Sequence, residues 1–347
     1  MPRRLRSAAN PPAEVYKRMK TVDIVIVGFG NVGRGVARVI AQKNQTFKKS
    51  GLNLRVVAVS DLWGSMVDER GLRLKDVLEM KCERKKMSGL DVINKVGYNI
   101  LVESTPTNID TGGPGLKHMK AALENKKYIA TSNKGPLALQ YAKLMSLARK
   151  KGVELRFEAT VGGAMPIINL ARETLAGNEI ISIRGVLNGT TNYILTRMEQ
   201  DGLPYEHVLS EAKEIGIAEA DPTYDVGGID AACKLVILAN SIFDMDVSYK
   251  DVLVTGITWV TPEALLLASK AGYAVRLIAE CRKDGTLKVA PRLVPRKSPL
   301  AVEGTLNAAS LITDLAGEIT ITGKGAGSIE AASSILSDIM YIASRLQ

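Results

Sequence analysis

Histidine is the scarcest chemically useful residue in this chain, with only His118 and His207 among 347 positions. Neither has a cysteine, aspartate or histidine partner at zinc-ligand spacing. A Ser-His-Asp or Cys-His catalyst is disfavoured, because too few histidines remain to serve it. The three cysteines, Cys82, Cys233 and Cys281, are odd in number and widely spaced. They form neither a disulfide framework nor a metal pattern, and they fit a reducing, cytoplasmic setting. Aromatic residues are 5% of the chain and no recognised nucleic-acid motif occurs. The net charge of +10 and pI near 9.4 are therefore assigned to an anionic small ligand such as a dinucleotide, and not to nucleic acid. No apolar run approaches the ~18 residues of a membrane span. The first 20 residues are basic, contain proline and lack an apolar core, so they read as a flexible arm and not as a secretory signal.

The length suggests two domains, and 46% hydrophobic with 24% charged residues is ordinary for a globular protein. Val22–Val27 (VDIVIV) is a continuous β-branched run, as expected of a buried parallel strand. Gly28, Phe29, Gly30, Asn31, Val32 and Gly33 follow as GxGxxG, ahead of a helical stretch. Gly28 permits the sharp turn, Gly30 the approach of a pyrophosphate and Gly33 close helix–strand packing. The helix start then offers amides and a positive dipole to phosphates. A second strand, Leu54–Ser60, ends in Asp61. A carboxylate there favours the ribose 2′-hydroxyl of NAD over the 2′-phosphate of NADP. Its neighbours Leu62 and Trp63 include no arginine to clamp a phosphate, and Arg34 with Lys48-Lys49 are the other sources of positive charge.

Further αβ units follow. Gly97–Glu103 reads as a strand with Ser104 and Thr105 at its carboxyl end, where ligands bind in this architecture. Gly115–Asn125 reads as a helix on which His118 is structural. Another strand starts at Lys127–Ala130, and Lys134 follows past its end, either a surface charge or an electrostatic group for a substrate. Leu137–Lys151 is helical and Val153–Phe157 closes the sheet. Glu158–Pro166 (EATVGGAMP) is an irregular turn whose carbonyls suit a hard cation. A helix, Ile167–Ala176, and a strand, Ile180–Val186, come next. The polar turn Leu187–Tyr193 either caps the next helix or holds a substrate.

Glu219, Asp221, Asp225, Asp230 and Lys234 are crowded into EADPTYDVGGIDAACK. Asp230 and Lys234 are spaced i, i+4 and share a helix face. Gly227-Gly228 reads as the turn that starts this helix, which then runs into the apolar LVILA. Val302–Ala309 and Gly317–Ile321 read as strands. GKGAG, Gly323–Gly327, is a loop able to close over a nicotinamide, and a last helix spans Ser328–Leu346.

The ordered set GFGNVGRG, ESTPTN, TSNKGP, EATVGGAMP, LNGTTNYILTRM, GIAEADPTYDVGGIDAACK and GKGAG resembles homoserine dehydrogenase over roughly residues 20 to 347. The resemblance implies an α/β fold: a Rossmann domain (21–157), a catalytic and dimerisation domain of α+β type with a mixed sheet (158–310), and a segment (311–347) returning to the first domain. It implies NAD- or NADP-dependent interconversion of L-homoserine and L-aspartate 4-semialdehyde by a homodimer. It places Glu219 and Asp225 on the substrate amino group, with Gly189 and Thr190 as further substrate contacts. Asp230, Lys234 and Lys134 match charged residues around the reacting oxygen, Lys134 and Gly325 also bordering the cofactor. Carbonyls of Glu158, Val161, Gly163 and Met165 match a sodium-type site that supports structure and does no redox work. The chain stops where many relatives continue into a regulatory domain, so feedback by threonine through such a domain is not expected. Cys233 stands where relatives often carry a larger polar residue, and it reads as small packing on a buried helix. Which group carries the proton stays open: nearby carboxylates raise a lysine pKa, while burial and a second lysine lower it.

Overall fold

Burial of Ile24–Val27 on both faces of the first strand sets the architecture. The computed structural model describes residues 19–346, so most of the expected arm, residues 1–18, lies outside the described residues. The first sheet holds β1 (Lys20–Val27), β2 (Leu52–Asp61), β3 (Gly64–Val67), β4 (Ile100–Glu103), β5 (Tyr128–Thr131) and β6 (Leu155–Arg156), in the order β3-β2-β1-β4-β5-β6. All pairs are parallel except the β2–β3 hairpin. Along β1, Val22, Ile24 and Ile26 point into one core with Val36 and Ile40, while Val25 and Val27 point into the other with Met119 and Leu123. This period of two, covered on both sides, is why the strand reads as one apolar run.

The last helix, Ser328–Arg345, completes the first of these cores with Ala332, Ile335, Ile339 and Ile342. It crosses the helix Asn31–Lys49 at Gly35, where a Cβ would stand 2.4 Å from the Ser328 carbonyl oxygen. Ser328 Oγ donates to the Asn31 carbonyl at 2.5 Å.

The second sheet holds β7 (Ile180–Val186), β8 (Leu253–Val254), β9 (Tyr273–Arg282), β10 (Leu287–Pro295), β11 (Leu306–Thr313) and β12 (Glu318–Lys324), in the order β12-β11-β7-β9-β10-β8. β8 pairs parallel with β10 and the others pair antiparallel, so the sheet is mixed. The helix Ile229–Ile242 belongs to its core and is buried from Ala231 to Ser241.

Several boundaries differ from those expected. β11 starts at Leu306 and not at Val302, because Asn192 Nδ2 donates to the carbonyls of Val302, Gly304 and Leu306 and bends that segment. β11 also runs across the boundary expected at 310, and the second sheet continues to Lys324. The helix expected over Ile167–Ala176 is a short α-turn, Ile167–Asn169, followed by a π-type turn, Leu170–Thr174. The helix expected from Leu137 begins at Lys134, capped by the Asn133 side chain.

Ile339 is fully buried where the last helix meets the first sheet. Ile339→Ala is expected to lower unfolding stability by about 2–5 kcal/mol. A loss under about 1 kcal/mol in urea melts would contradict the role given to this helix in the core.

Candidate active site

The parallel strands β1, β4 and β5 end on one crevice, the usual ligand position in such sheets. Gly28, with φ +94°, turns the chain out of β1, and a Cβ there would stand 2.4 Å from the Ser104 backbone. Ser104 Oγ donates to the Gly28 carbonyl at 2.8 Å, fastening the ends of β1 and β4 together. A Cβ on Gly33 would stand 2.3 Å from the Gly28 carbonyl oxygen, so Gly33 serves helix packing. Gly30 has nothing within 4 Å of its Cβ position, which leaves the backbone open to a ligand. Phe29 is buried, while Asn31 is exposed at the helix start. These features fit a pyrophosphate laid on a helix N-terminus. Thr105 Oγ1 donates to Glu103 Oε1 and accepts from Asn133 Nδ2 at 3.2 Å, tying the ends of β4 and β5. His118 is buried with Nδ1 3.4 Å from Glu103 Oε1, in keeping with a structural role.

At the end of β2 the structure departs from the sequence reading. Asp61 is not free of arginine: Arg84 Nη1 and Nη2 donate to its two carboxylate oxygens at 2.5 and 2.9 Å. Burial pushes the Asp61 carboxyl up, but Arg84 and the Trp63 amide outweigh it and the carboxyl sits below its ordinary range. Lys48 and Lys49 end the helix Asn31–Lys49, roughly 25 Å from its start at 1.5 Å per residue, so they do not serve this corner.

Deeper in the crevice, Asp230 lies in the first turn of the helix Ile229–Ile242, which starts from Gly228 at φ +80°. Its Oδ2 meets Lys234 Nζ at 2.7 Å and its Oδ1 meets Lys134 Nζ at 2.9 Å. Lys234 Nζ also donates to the Leu187 carbonyl at 2.6 Å. Asn188 Nδ2 donates to Asp225 Oδ1 at 2.6 Å and to Asp230 Oδ2 at 3.0 Å. Asn188 Oδ1 accepts from the Thr191 amide at 2.9 Å, so capping the helix Gly189–Asp201 fixes the orientation of its side chain. Burial pushes the Asp230 carboxyl up, yet the two lysines overcome it and hold Asp230 far below the carboxylate range. Asp230 raises Lys134 against the opposing effect of burial. Asp225 is raised by burial and by the Asp230 charge.

Gly189 lets the turn approach the Thr305 carbonyl, 2.8 Å from its Cβ position. Thr190 Oγ1 donates to the Ile217 carbonyl at 3.2 Å, drawing in the segment that carries Glu219. Glu219 itself is exposed and bonds to none of the described residues. Sequence reasoning missed Asn307, which is fully buried with neither amide atom partnered among the described residues. It touches both sides of the crevice: its side chain stands 3.5 Å from the Cβ position of Gly189, and it packs on Gly325 so closely that no side chain fits there. Nothing in a strand of small residues signals this.

In the turn after β6, the Gly163 carbonyl accepts from Ser334 Oγ at 2.5 Å and the Met165 carbonyl from the Ile167 amide at 2.9 Å. Each carbonyl keeps a second lone pair for a cation. The Glu158 carboxylate accepts from the Ile168 and Asn169 amides at 2.9 and 2.6 Å. The Glu158 amide donates to Asp338 at 3.0 Å.

Two family models match the two halves of this arrangement: homoserine dehydrogenase, NAD binding domain, over residues 28–158, and homoserine dehydrogenase over residues 166–340. Over 331 residues the chain is 54% identical to the homoserine dehydrogenase of Methanocaldococcus jannaschii, spanning 92% of this chain and 98% of that protein. The chain belongs to the homoserine dehydrogenase family. Two solved structures agree. A protein of Archaeoglobus fulgidus that carries the name homoserine dehydrogenase provisionally has a TM-score of 0.88 at 48% identity, over 93% of this chain and 99% of that one. A hyperthermophilic archaeal homoserine dehydrogenase in complex with NADPH has a TM-score of 0.83 at 32% identity, over 94% and 99%. The expected fold class and enzyme class are therefore the observed ones: an NAD(P)-dependent oxidoreductase, homoserine dehydrogenase, of the aspartate-derived branch leading to threonine, methionine and isoleucine.

In this homoserine dehydrogenase, burial and the nearby Asp338 charge push Glu158 up to about 8, from 4.5. Between those values the folded chain holds a proton that the unfolded chain has lost, so stability falls as pH rises. Asp338, pushed up to about 6 by burial, acts with the same sign at lower pH. Thermal melts of Glu158→Gln are expected to fall less steeply than wild type between roughly pH 5 and pH 8. Parallel curves would contradict the titration assigned to Glu158.

Proposed function

We propose that the enzyme interconverts L-homoserine and L-aspartate 4-semialdehyde with Lys234, Asp230 and Lys134 as its charged centre. The observation that carries this reading is one nearly buried carboxylate ion-paired to two lysines, one of which, Lys134, starts the helix that follows β5 of the dinucleotide-type sheet. A lysine ammonium has three N–H donors. Lys234 uses one on the Leu187 carbonyl and one on Asp230, and the third is left for the substrate oxygen. A nicotinamide held at the glycine turn Gly28–Gly33 would supply the hydride for the aldehyde carbon, or take it from the alcohol carbon. In the reducing direction, the oxygen that gains the electron pair takes a proton from Lys234. Asp230 keeps the lysine in place, and Lys134, held cationic by the same carboxylate, adds a second positive charge at the developing alkoxide and borders the cofactor.

The substrate ammonium belongs between Glu219 and Asp225 in this reading, with Gly189 and Thr190 forming the wall of the pocket. An incoming cation lowers the raised Asp225 carboxyl, so binding and ionisation favour one another. Gly28, Phe29, Gly30, Asn31, Val32, Gly33, Ser104, Thr105 and Gly325 line the proposed NADP or NAD site, with Asp61 at the ribose. Carbonyls of Glu158, Val161, Gly163 and Met165 are proposed to hold a sodium-type cation that supports the fold. The proposed assembly is a homodimer through the second domain, where Ile181, Leu293 and Leu306 stay exposed. A cytoplasmic location suits three unpaired cysteines.

Initial rates at 340 nm with homoserine test the assignment. Lys234→Ala is expected to lose at least about 100-fold in kcat with little change in cofactor affinity. Near-normal kcat would sink the assignment. Glu219→Leu is expected chiefly to raise the KM for homoserine, and a raised KM for the nucleotide instead would mean that the residue is misplaced. For the cation, replacing choline chloride by sodium chloride at constant ionic strength is expected to raise Tm. Superimposable melts would remove the cation from the account.

A further inference from the structure

We propose that Arg84 sets the dinucleotide preference of this enzyme, pairing with Asp61 when the ribose 2′ position is a hydroxyl and turning to the phosphate when it is phosphorylated. The proposal rests on reading the end of β2 as the ribose-facing corner. A lone carboxylate there repels a 2′-phosphate. Asp61 is not alone: both of its oxygens receive the Arg84 fork, and Oδ1 also accepts from the Trp63 amide at 2.8 Å.

The placement of Arg84 is built into the backbone. Its neighbour Lys85 is clipped to β3 by two hydrogen bonds, Ser65 N to the Lys85 carbonyl at 3.0 Å and Lys85 N to the Ser65 carbonyl at 2.7 Å. Ser65 Oγ donates to the Met87 carbonyl at 2.8 Å and holds the same segment further along. Gly64, at φ +117°, makes the approach possible, since a Cβ there would lie 2.6 Å from the Lys85 carbonyl oxygen. A segment distant in sequence from the glycine turn is thereby held against the end of β2.

A second cation stands nearby. Arg34, one residue after the glycine motif, donates from Nη2 to the Leu78 carbonyl at 2.8 Å, and its guanidinium lies 5.6 Å from the Phe29 ring centroid. Its charge also acts on Asp61. Two guanidiniums thus act on one carboxylate. The planar fork of an arginine matches a phosphate as well as it matches a carboxylate. Arg84 and Asp61 are each partly exposed, so the pair can exchange partners without unfolding the segment.

The test is equilibrium titration of NADPH and NADH by fluorescence on the full-length enzyme without homoserine, for wild type, Arg84→Ala, Arg84→Lys and Asp61→Ser. For Arg84→Ala the preference for NADPH over NADH is expected to fall at least about tenfold, the scale of one charge-assisted contact. Arg84→Lys, which keeps charge and loses the fork, is expected to fall between wild type and Arg84→Ala. Asp61→Ser is expected to move the preference toward NADPH. A ratio within about twofold of wild type in Arg84→Ala would overturn the proposal. Because homoserine is absent, a chain that binds dinucleotides but fails to oxidise homoserine would overturn the proposed function and leave this result standing. A wild-type chain that binds neither dinucleotide would overturn both.

Discussion

Asp230 carries an ammonium group on each of its two carboxylate oxygens, and those ammonium groups come from different domains. Lys134 begins a helix that leaves the first sheet, while Lys234 sits one turn along the helix that carries Asp230 itself. The bond that assembles the charged centre is therefore also a bond between domains. It is largely shielded from solvent, with the Lys134 side chain 25% and the Asp230 side chain 13% exposed. Taking away the carboxylate would leave two like charges in a low-dielectric crevice, a loss of roughly 3–5 kcal/mol for a broken buried pair. In the proposed mechanism, stability and chemistry depend on the same atoms.

Around that bond the backbone is brought close by glycine and held by side chains from far along the chain. Gly228 allows the helix Ile229–Ile242 to start abruptly, so that Asp230 falls in its first turn, where the helix dipole favours an anion. Asn188 caps one helix with its carbonyl oxygen and spans Asp225 and Asp230 with its amide. The last helix reaches into the turn after β6 through Ser334 and Asp338, while its apolar face fills the first core. Segments at opposite ends of the chain thus share the burden of orienting one crevice.

The sequence made the centre legible because its signals are local. The glycine motif follows an apolar run, Asp230 and Lys234 are one helical turn apart, and Gly227-Gly228 announces the helix. β1 could be read from its apolar run, and the strand expected over Ile180–Val186 is β7 with the same bounds. What stayed hidden depends on distant segments. Arg84 reaches Asp61 only through the clip between Lys85 and Ser65, and no local pattern encodes that. Asn307 is one amide in a strand of small residues, and its importance lies in what packs on it. β9 and β10 had no assignment, since six successive buried residues erase the alternation in one and two prolines interrupt the other. Lys134 was ambiguous alone, and Asp230 on the other domain gives it a partner.

In the proposed mechanism Asp230 organises both lysines. The most direct measurement is steady-state homoserine oxidation by Asp230→Asn, a nearly isosteric change that removes only the charge, with dinucleotide affinity measured alongside. The expected kcat is lower by at least about 100-fold while the dinucleotide still binds. A variant that turns over homoserine at close to the wild-type rate would contradict this mechanism.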